Sequence, residues 1–286
     1  YEQEPFENSN HQAIGCRKTS KKGVKFYQCQ DSNTEDTPVL ALLGDSHAPH
    51  YLQSATSWAK KNGYNVKYSA VPGCPMVLGD VSIHQTVFEE KYTEVCERTL
   101  SRLDQNIVED PRVEIVMIAQ RYDLFYDGKG YLNNIRMITF KDDNGRVVED
   151  HTSYYKNRLS ETVEIMKNAG KKVIILKQVP LNIGTDSCDW QPLLFNLLNQ
   201  EKSCEFDYGF ISKWQRPSIE FIDNFIHDHE LPVFDPATVM DKPHMNGTNL
   251  YQDGDHLNLH GVYYLIPYVE QALDKLMADG SETKSE

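Results

Sequence analysis

The chain has 286 residues, 40% hydrophobic and 25% charged, which suits one large globular α/β domain or two small ones. Its net charge of -13 argues against nucleic acid as a partner, because that binding relies on Lys and Arg neutralising phosphates. No apolar run approaches the ~20 residues of a membrane span.

Residues 1–13 are polar and aperiodic, the pattern of a linker or flexible arm. The chain starts at Tyr1, without Met or a signal peptide, and is therefore expected to be a processed product or a fragment. Between Cys16 and Cys29 lie Arg17, Lys18, Lys21, Lys22 and Lys25. They read as a basic patch for an acidic glycan or lipid headgroup or, more simply, as a solvated loop. Residues 31–37 form a second polar connector.

The apolar run Val39-Leu40-Ala41-Leu42-Leu43, bounded by Pro38 and Gly44, predicts a buried parallel strand. Beyond Ser46, Tyr51, Leu52, Ala55 and Trp58 recur at helical spacing as far as Asn62-Gly63. Ser46 thus falls at a strand-to-helix turn, at the carboxyl end of a strand, where open α/β sheets bind ligands. A serine nucleophile needs the free helix N–H groups found there, because its acyl intermediate passes through an oxyanion. The competing reading is a plain helix N-cap.

Residues 64–71 alternate as a second strand and end in Pro72-Gly73-Cys74-Pro75. Residues 88–107 are expected to be helical, with Tyr92, Val95, Cys96, Leu100 and Leu103 on one face, and residues 113–119 form a third strand. The loop beyond it carries Arg121, Tyr122, Asp123, Phe125, Tyr126 and Asp127, rings that suit sugar faces or simple packing. Residues 135–148 predict a hairpin excursion at the sheet edge around Asp142-Asp143-Asn144-Gly145. A helix over 153–170 and a fourth strand over 172–180 follow. Residues 182–210 form an insertion, a lid or a packed surface loop. A helix over 217–229, a short strand over 231–235, a loop over 241–252 and a last helix over 259–277, N-capped by Asn258, complete the chain before a polar tail. The alternation of strands and helices gives an α/β fold with a parallel sheet of about five strands.

Before the last helix stands Asp253-Gly254-Asp255-His256-Leu257-Asn258. A His with an Asp three residues upstream forms a base-plus-orienter pair, the Asp holding one ring nitrogen while the other takes a proton from serine. Asp253 is favoured over Asp255, because adjacent side chains on extended backbone point in opposite directions. His47 is too close to Ser46 along the chain to serve as its base. Asp45 anchors the turn through hydrogen bonds.

Gly44-Asp45-Ser46-His47 and Asp253-x-x-His256 together resemble the SGNH/GDSL hydrolase family. Val71-Pro72-Gly73-Cys74-Pro75, Cys96, Ile118-Ala119-Gln120-Arg121-Tyr122 and Asp253-Gly254-Asp255-His256-Leu257 narrow the resemblance to the SGNH domain appended to acyltransferase-3 membrane proteins, bacterial O-acetyltransferases that decorate surface polysaccharide. It covers roughly residues 40–265 and implies an SGNH-like three-layer α/β fold. The expected organisation is an N-terminal disulfide-closed extension over 1–37, the SGNH-like domain over 38–278 and a tail over 279–286.

The resemblance implies Ser46, Asp253 and His256 as the catalytic triad. It places Ser46 and Gly73 N–H groups in an oxyanion hole, with Gln120 and Tyr122 lining the substrate and His47 either structural or substrate-lining. The wider family has an Asn after the third strand that this chain lacks, so Arg121 or Gln120 would substitute as the third donor. The implied reaction is acetyl transfer onto a hydroxyl of a polysaccharide or glycolipid, such as an O-antigen. No metal or cofactor is expected in this domain. Acetyl-CoA would be the ultimate donor, used by an acyltransferase-3 transmembrane domain N-terminal to this chain, and the location would be the periplasmic face of the inner membrane. The alternatives are a carbohydrate esterase with the same triad and a non-catalytic glycan-binding module.

The six cysteines show neither C-x-x-C nor zinc-ligand spacing, and their even count favours disulfides in an oxidising compartment over buried thiols. Six cysteines admit many connectivities, and local pairing is the simplest: Cys16–Cys29, Cys74–Cys96 and Cys188–Cys204.

Overall fold

A computed structural model describes residues 15–19, 24–29, 36–79, 81–85, 90–129, 138–142, 145–182, 206–245 and 247–282. The linker over 1–13, Lys21, Lys22, and Cys188 with Cys204 lie outside these residues.

In chain order the first six strands are β1 (Arg17–Lys18), β2 (Tyr27–Cys29), β3 (Val39–Gly44), β4 (Asn65–Ala70), β5 (Ser82–Gln85) and β6 (Val113–Ala119). They are followed by β7 (Ile138–Lys141), β8 (Lys172–Leu176), β9 (Val233–Phe234), β10 (His244–Met245) and β11 (Thr248–Asn249). The helices are α1 (Pro49–Asn62), α2 (Glu90–Leu100), α3 (Tyr122–Asp127), α4 (His151–Asn168), α5 (Tyr208–Trp214), α6 (Arg216–Asp228) and α7 (Leu259–Glu282).

The central sheet runs β1-β2-β4-β3-β6-β8-β9. Its five strands from β4 to β9 are mutually parallel, as expected. The two N-terminal strands pair antiparallel with each other, and β2 pairs antiparallel with β4, so the extension is stitched into the same sheet. The Cys16–Cys29 disulfide closes it.

β3 lies at the centre of the sheet. All six of its residues are buried. Val39, Ala41 and Leu43 face one core with Tyr155, Leu159 and Val163 of α4, whereas Leu40 and Leu42 face the other with Tyr51, Ala55 and Trp58 of α1 and Val262, Leu265 and Val269 of α7. A strand apolar at every position is what two helical layers require, and the result is the three-layer arrangement. α1 and α7 are joined further by Trp58 Nε1–H donating to Asp274 at 2.7 Å.

Several expectations shift. The helix expected over 88–107 ends at Leu100 and gives way to a π turn over Asp104–Val108. Within the excursion expected over 135–148, the described residues 138–142 and 145–148 are joined by Gly145 N–H on Asp142 O and an isolated bridge between Lys141 and Val147. Its main partner, however, is β5, which pairs antiparallel with β7 as a separate two-stranded sheet. The loop after β6 is the short helix α3, whose Tyr122, Leu124 and Phe125 are buried, so packing accounts for those rings. The last helix continues past Met277 to Glu282. Among the described residues, no helix is long and apolar enough to cross a membrane.

Candidate active site

β4 and β6 flank β3 on opposite sides, and Gly44 stands level with Ala70 and Ala119, so three strands deliver their carboxyl ends to one crevice. That is where doubly wound sheets bind ligands. Gly44 lies so close to β6 that an added Cβ would sit 1.7 Å from Ala119 O; only glycine fits. Asp45 follows, wholly buried, and its two oxygens accept from the His47 N–H and the Arg121 N–H, each at 2.9 Å. It staples the turn to the end of β6, the anchoring role expected for it. Burial pushes its carboxyl above the usual range against the pull of those contacts.

Ser46 is not a helix cap: the N-cap of α1 is Ala48, without a side-chain cap, and Pro49 opens the helix. The Ser46 hydroxyl instead lies 2.9 Å from His256 Nε2, across 210 residues of sequence. On the far side of the ring, Nδ1 lies 3.0 Å from both oxygens of Asp253. The structure therefore brings Ser46, His256 and Asp253 together in one hydrogen-bonded line.

Asp255 lies elsewhere than the alternation of extended backbone predicts. It was expected to point away from the ring, yet its Oδ1 is 3.1 Å from His256 Nδ1. The backbone there is not extended. Asp253 Oδ1 accepts from both the Asp255 N–H at 3.0 Å and the His256 N–H at 2.8 Å, an Asx-type turn that curls the loop until both carboxylates face the imidazole. Asp253 is half exposed, with 51% of its side chain accessible, whereas Asp255 is buried at 6%. Burial disfavours charge on His256, but the two carboxylates outweigh it and hold the ring's pKa up at about 10. Burial likewise opposes ionisation of Asp255, and contacts with His256, His47 and Arg121 overcome it, so its carboxyl stays well below the usual range.

The Arg121 guanidinium is directed at carboxylates, with Nη1 2.9 Å from Asp255 Oδ2 and Nε 3.1 Å from Asp123 Oδ1. Gln120 is buried and its carboxamide oxygen accepts from the Met76 N–H at 3.0 Å, bracing the segment after Gly73. Gly73 takes φ 61° in a turn closed by the Cys74 N–H on Val71 O, a backbone state that glycine adopts freely. The Cys74–Cys96 disulfide ties this turn to α2. Tyr122 is buried, donates to Ile118 O at 3.1 Å and contributes to a largely apolar cavity of about 150 Å³ with Gln178, Phe206, Ile222 and Met240. His47 is buried, 5.1 Å ring to ring from His256.

His50 was not singled out from the sequence. Its Nε2 accepts from the Leu257 N–H at 3.2 Å, and its ring lies 5.8 Å from that of His256, so it secures the chain just after the base. Burial and the neighbouring imidazoles hold it well below the usual pKa, in keeping with an acceptor nitrogen. Its signal was the i, i+3 spacing from His47 at the start of a helix.

Ligand atoms of His47, Asp255 and His256 lie within 4.8 Å of one another. Arg121 places a fixed positive charge against the Asp255 carboxylate, so this group reads as an ion-pair network rather than a donor set for a cation.

The solved periplasmic domain of a lipopolysaccharide acetyltransferase from Salmonella ser. Paratyphi A superposes with a TM-score of 0.53 at 14% identity, over 84% of this chain and 85% of that one. A GDSL-like lipase from Bacteroides thetaiotaomicron VPI-5482 gives 0.47 at 14% identity, over 86% and 92%. No curated protein matches the chain by sequence. A family model described as the SGNH domain fused to AT3 domains matches residues 15–271, and the chain belongs to that family.

Proposed function

We propose that this domain carries out serine-based acyl transfer, moving an acetyl group onto a hydroxyl of a cell-surface polysaccharide. The observation that supports it is the line Ser46 Oγ, His256 Nε2, His256 Nδ1, Asp253, with contacts of 2.9 and 3.0 Å. Ser46 Oγ attacks the acetyl carbonyl while His256 Nε2 takes its proton, and Asp253 holds the ring. N–H groups of Ser46 and Gly73 receive the oxyanion. His256 returns the proton to the leaving group, and an acetyl-serine remains. An acceptor hydroxyl then gives its proton to His256 and attacks the acyl carbon, and His256 passes that proton to Ser46 Oγ as the ester bond to Ser46 breaks.

Transfer to a sugar rather than to water follows the family, whose members are fused to AT3 domains, and the lipopolysaccharide acetyltransferase neighbour. On this reading an AT3 membrane portion uses acetyl-CoA and supplies the acetyl group, this domain needs no cofactor or metal, and it works on the periplasmic side. Disulfides at Cys16–Cys29 and Cys74–Cys96 fit an oxidising compartment.

The test is turnover of p-nitrophenyl acetate by wild type and Ser46→Ala, with and without an acceptor glycan. Turnover lost in the variant and diverted to the glycan supports transfer. Turnover that always ends as acetate favours an esterase. No turnover, and no labelling of Ser46 by a fluorophosphonate, would leave a glycan-binding module.

A further inference from the structure

Asp253 is a sufficient orienter by position, yet the loop presents a second carboxylate to the same ring nitrogen. The two differ in setting. Asp253 stands half in solvent, where water and salt weaken its field. Asp255 is buried, where the same charge at the same distance acts more strongly.

A buried carboxylate is costly unless it is paired. Asp255 is paired twice, to His256 at 3.1 Å and to Arg121 Nη1 at 2.9 Å, with His47 Nε2 a further 3.6 Å away. Arg121 in turn meets Asp123 at 3.1 Å, and its backbone N–H holds Asp45, which also holds the His47 N–H. Arg121 therefore bridges the loop that carries the serine and the loop that carries the histidine.

We propose that Asp255, clamped by Arg121, is a second positioning carboxylate for His256, holding the ring from its buried side and stabilising the imidazolium formed as Ser46 gives up its proton. This rests on the assignment of Ser46 and His256 made above. The step moves one proton from Ser46 Oγ to His256 Nε2, and Asp255 stays ionised throughout. The charged or titratable groups facing His256 are Asp253 and Asp255 on its own loop, His47 and His50 at the start of α1, and Arg121 through Asp255.

The experiment is the pH profile of kcat/KM on p-nitrophenyl acetate for wild type, Asp255→Asn, Arg121→Gln and Arg121→Lys, with the His256 imidazole titrated by NMR in a Ser46→Ala background. Asp255→Asn removes a negative neighbour, so the acid limb and the NMR midpoint should fall by about one pH unit or more, and the alkaline plateau should drop by about tenfold. Arg121→Gln leaves Asp255 uncompensated and should move both midpoints upward, whereas Arg121→Lys should restore them toward wild type. A purely structural role would scale the rates without moving either midpoint, and unmoved midpoints overturn the proposal. If Asp255→Asn does not fold by thermal unfolding, the two Arg121 variants decide: coincident midpoints for Gln, Lys and wild type overturn it equally. Retained turnover in Ser46→Ala is the separate result that removes the underlying triad reading.

Discussion

Removing the Cys74–Cys96 disulfide should weaken both the fold and the site, whereas removing Cys16–Cys29 should weaken the fold alone. The Cys74–Cys96 bridge spans 22 residues and the other 13. In the chain-entropy account, closing these loops in the unfolded state contributes about 3.4 and about 2.9 kcal/mol at 25 °C. With about 0.6 kcal/mol/K of unfolding entropy for a chain this long, the double alanine variants should lose about 6 °C and about 5 °C in Tm. Burial of Cys74 and Cys96 adds a small cavity term to the first, and burial of Cys29 a smaller one to the second. The losses in stability are thus nearly equal, and position decides the rest. Cys74 directly follows Gly73 at the crevice, while Cys16 and Cys29 pin the antiparallel edge, with β4 between them and β3. Esterase kinetics at 20 °C, well below either midpoint, should show kcat/KM reduced by about tenfold or more for Cys74→Ala/Cys96→Ala and within about twofold of wild type for Cys16→Ala/Cys29→Ala. Equal activity in the two variants would refute the claim that the Cys74 bridge positions the Gly73 turn for catalysis.

Gly44→Ala should destabilise by about 3 kcal/mol or more in urea, since its Cβ would overlap the β6 backbone at Ala119 O; a loss under about 1 kcal/mol would mean that the strands separate easily there. Trp58→Phe strands the Asp274 carboxylate it serves at 2.7 Å and should cost about 1 kcal/mol by the same melt, with Asp274→Asn smaller and the pair not additive. The folded pKa of His256 is raised to about 10, so its contribution to stability is fully present below its unfolded value and is lost as pH rises through about 10. Tm measured against pH should accordingly show the difference between wild type and His256→Gln shrinking between neutral pH and pH 10. The same raised value predicts that kcat/KM climbs with pH toward 10, as the neutral base becomes available; a rate already flat at pH 7 would contradict it.

Much of the site could be read along the chain because its chemistry is local. A strand apolar at every position, a glycine, and a serine ahead of helical spacing described the β3–α1 turn. Asp253 and His256 are three residues apart, close enough for one loop to pair them. Cysteines near in sequence paired as the simplest rule expects at Cys16–Cys29 and Cys74–Cys96. Two expectations differ from the structure, for different physical reasons. β7 was expected to find its partner in its own hairpin and found it mainly in β5, because strand periodicity reports burial and not the identity of the neighbour. Asp255 was judged by the alternation of extended backbone, and the hydrogen bonds that curl the loop overrode it.

By itself, then, the sequence determined the parallel strands, the serine turn and the local Asp–His pair, since each follows from residue types within one or two elements. Only the tertiary structure decided that Ser46 meets His256 across 210 residues, that Arg121 serves two carboxylates, and that a second aspartate reaches the ring. The first two depend on which strand ends the sheet order brings to one crevice, which no short window of the chain carries, and the third on the hydrogen bonds that curl the 253–256 loop.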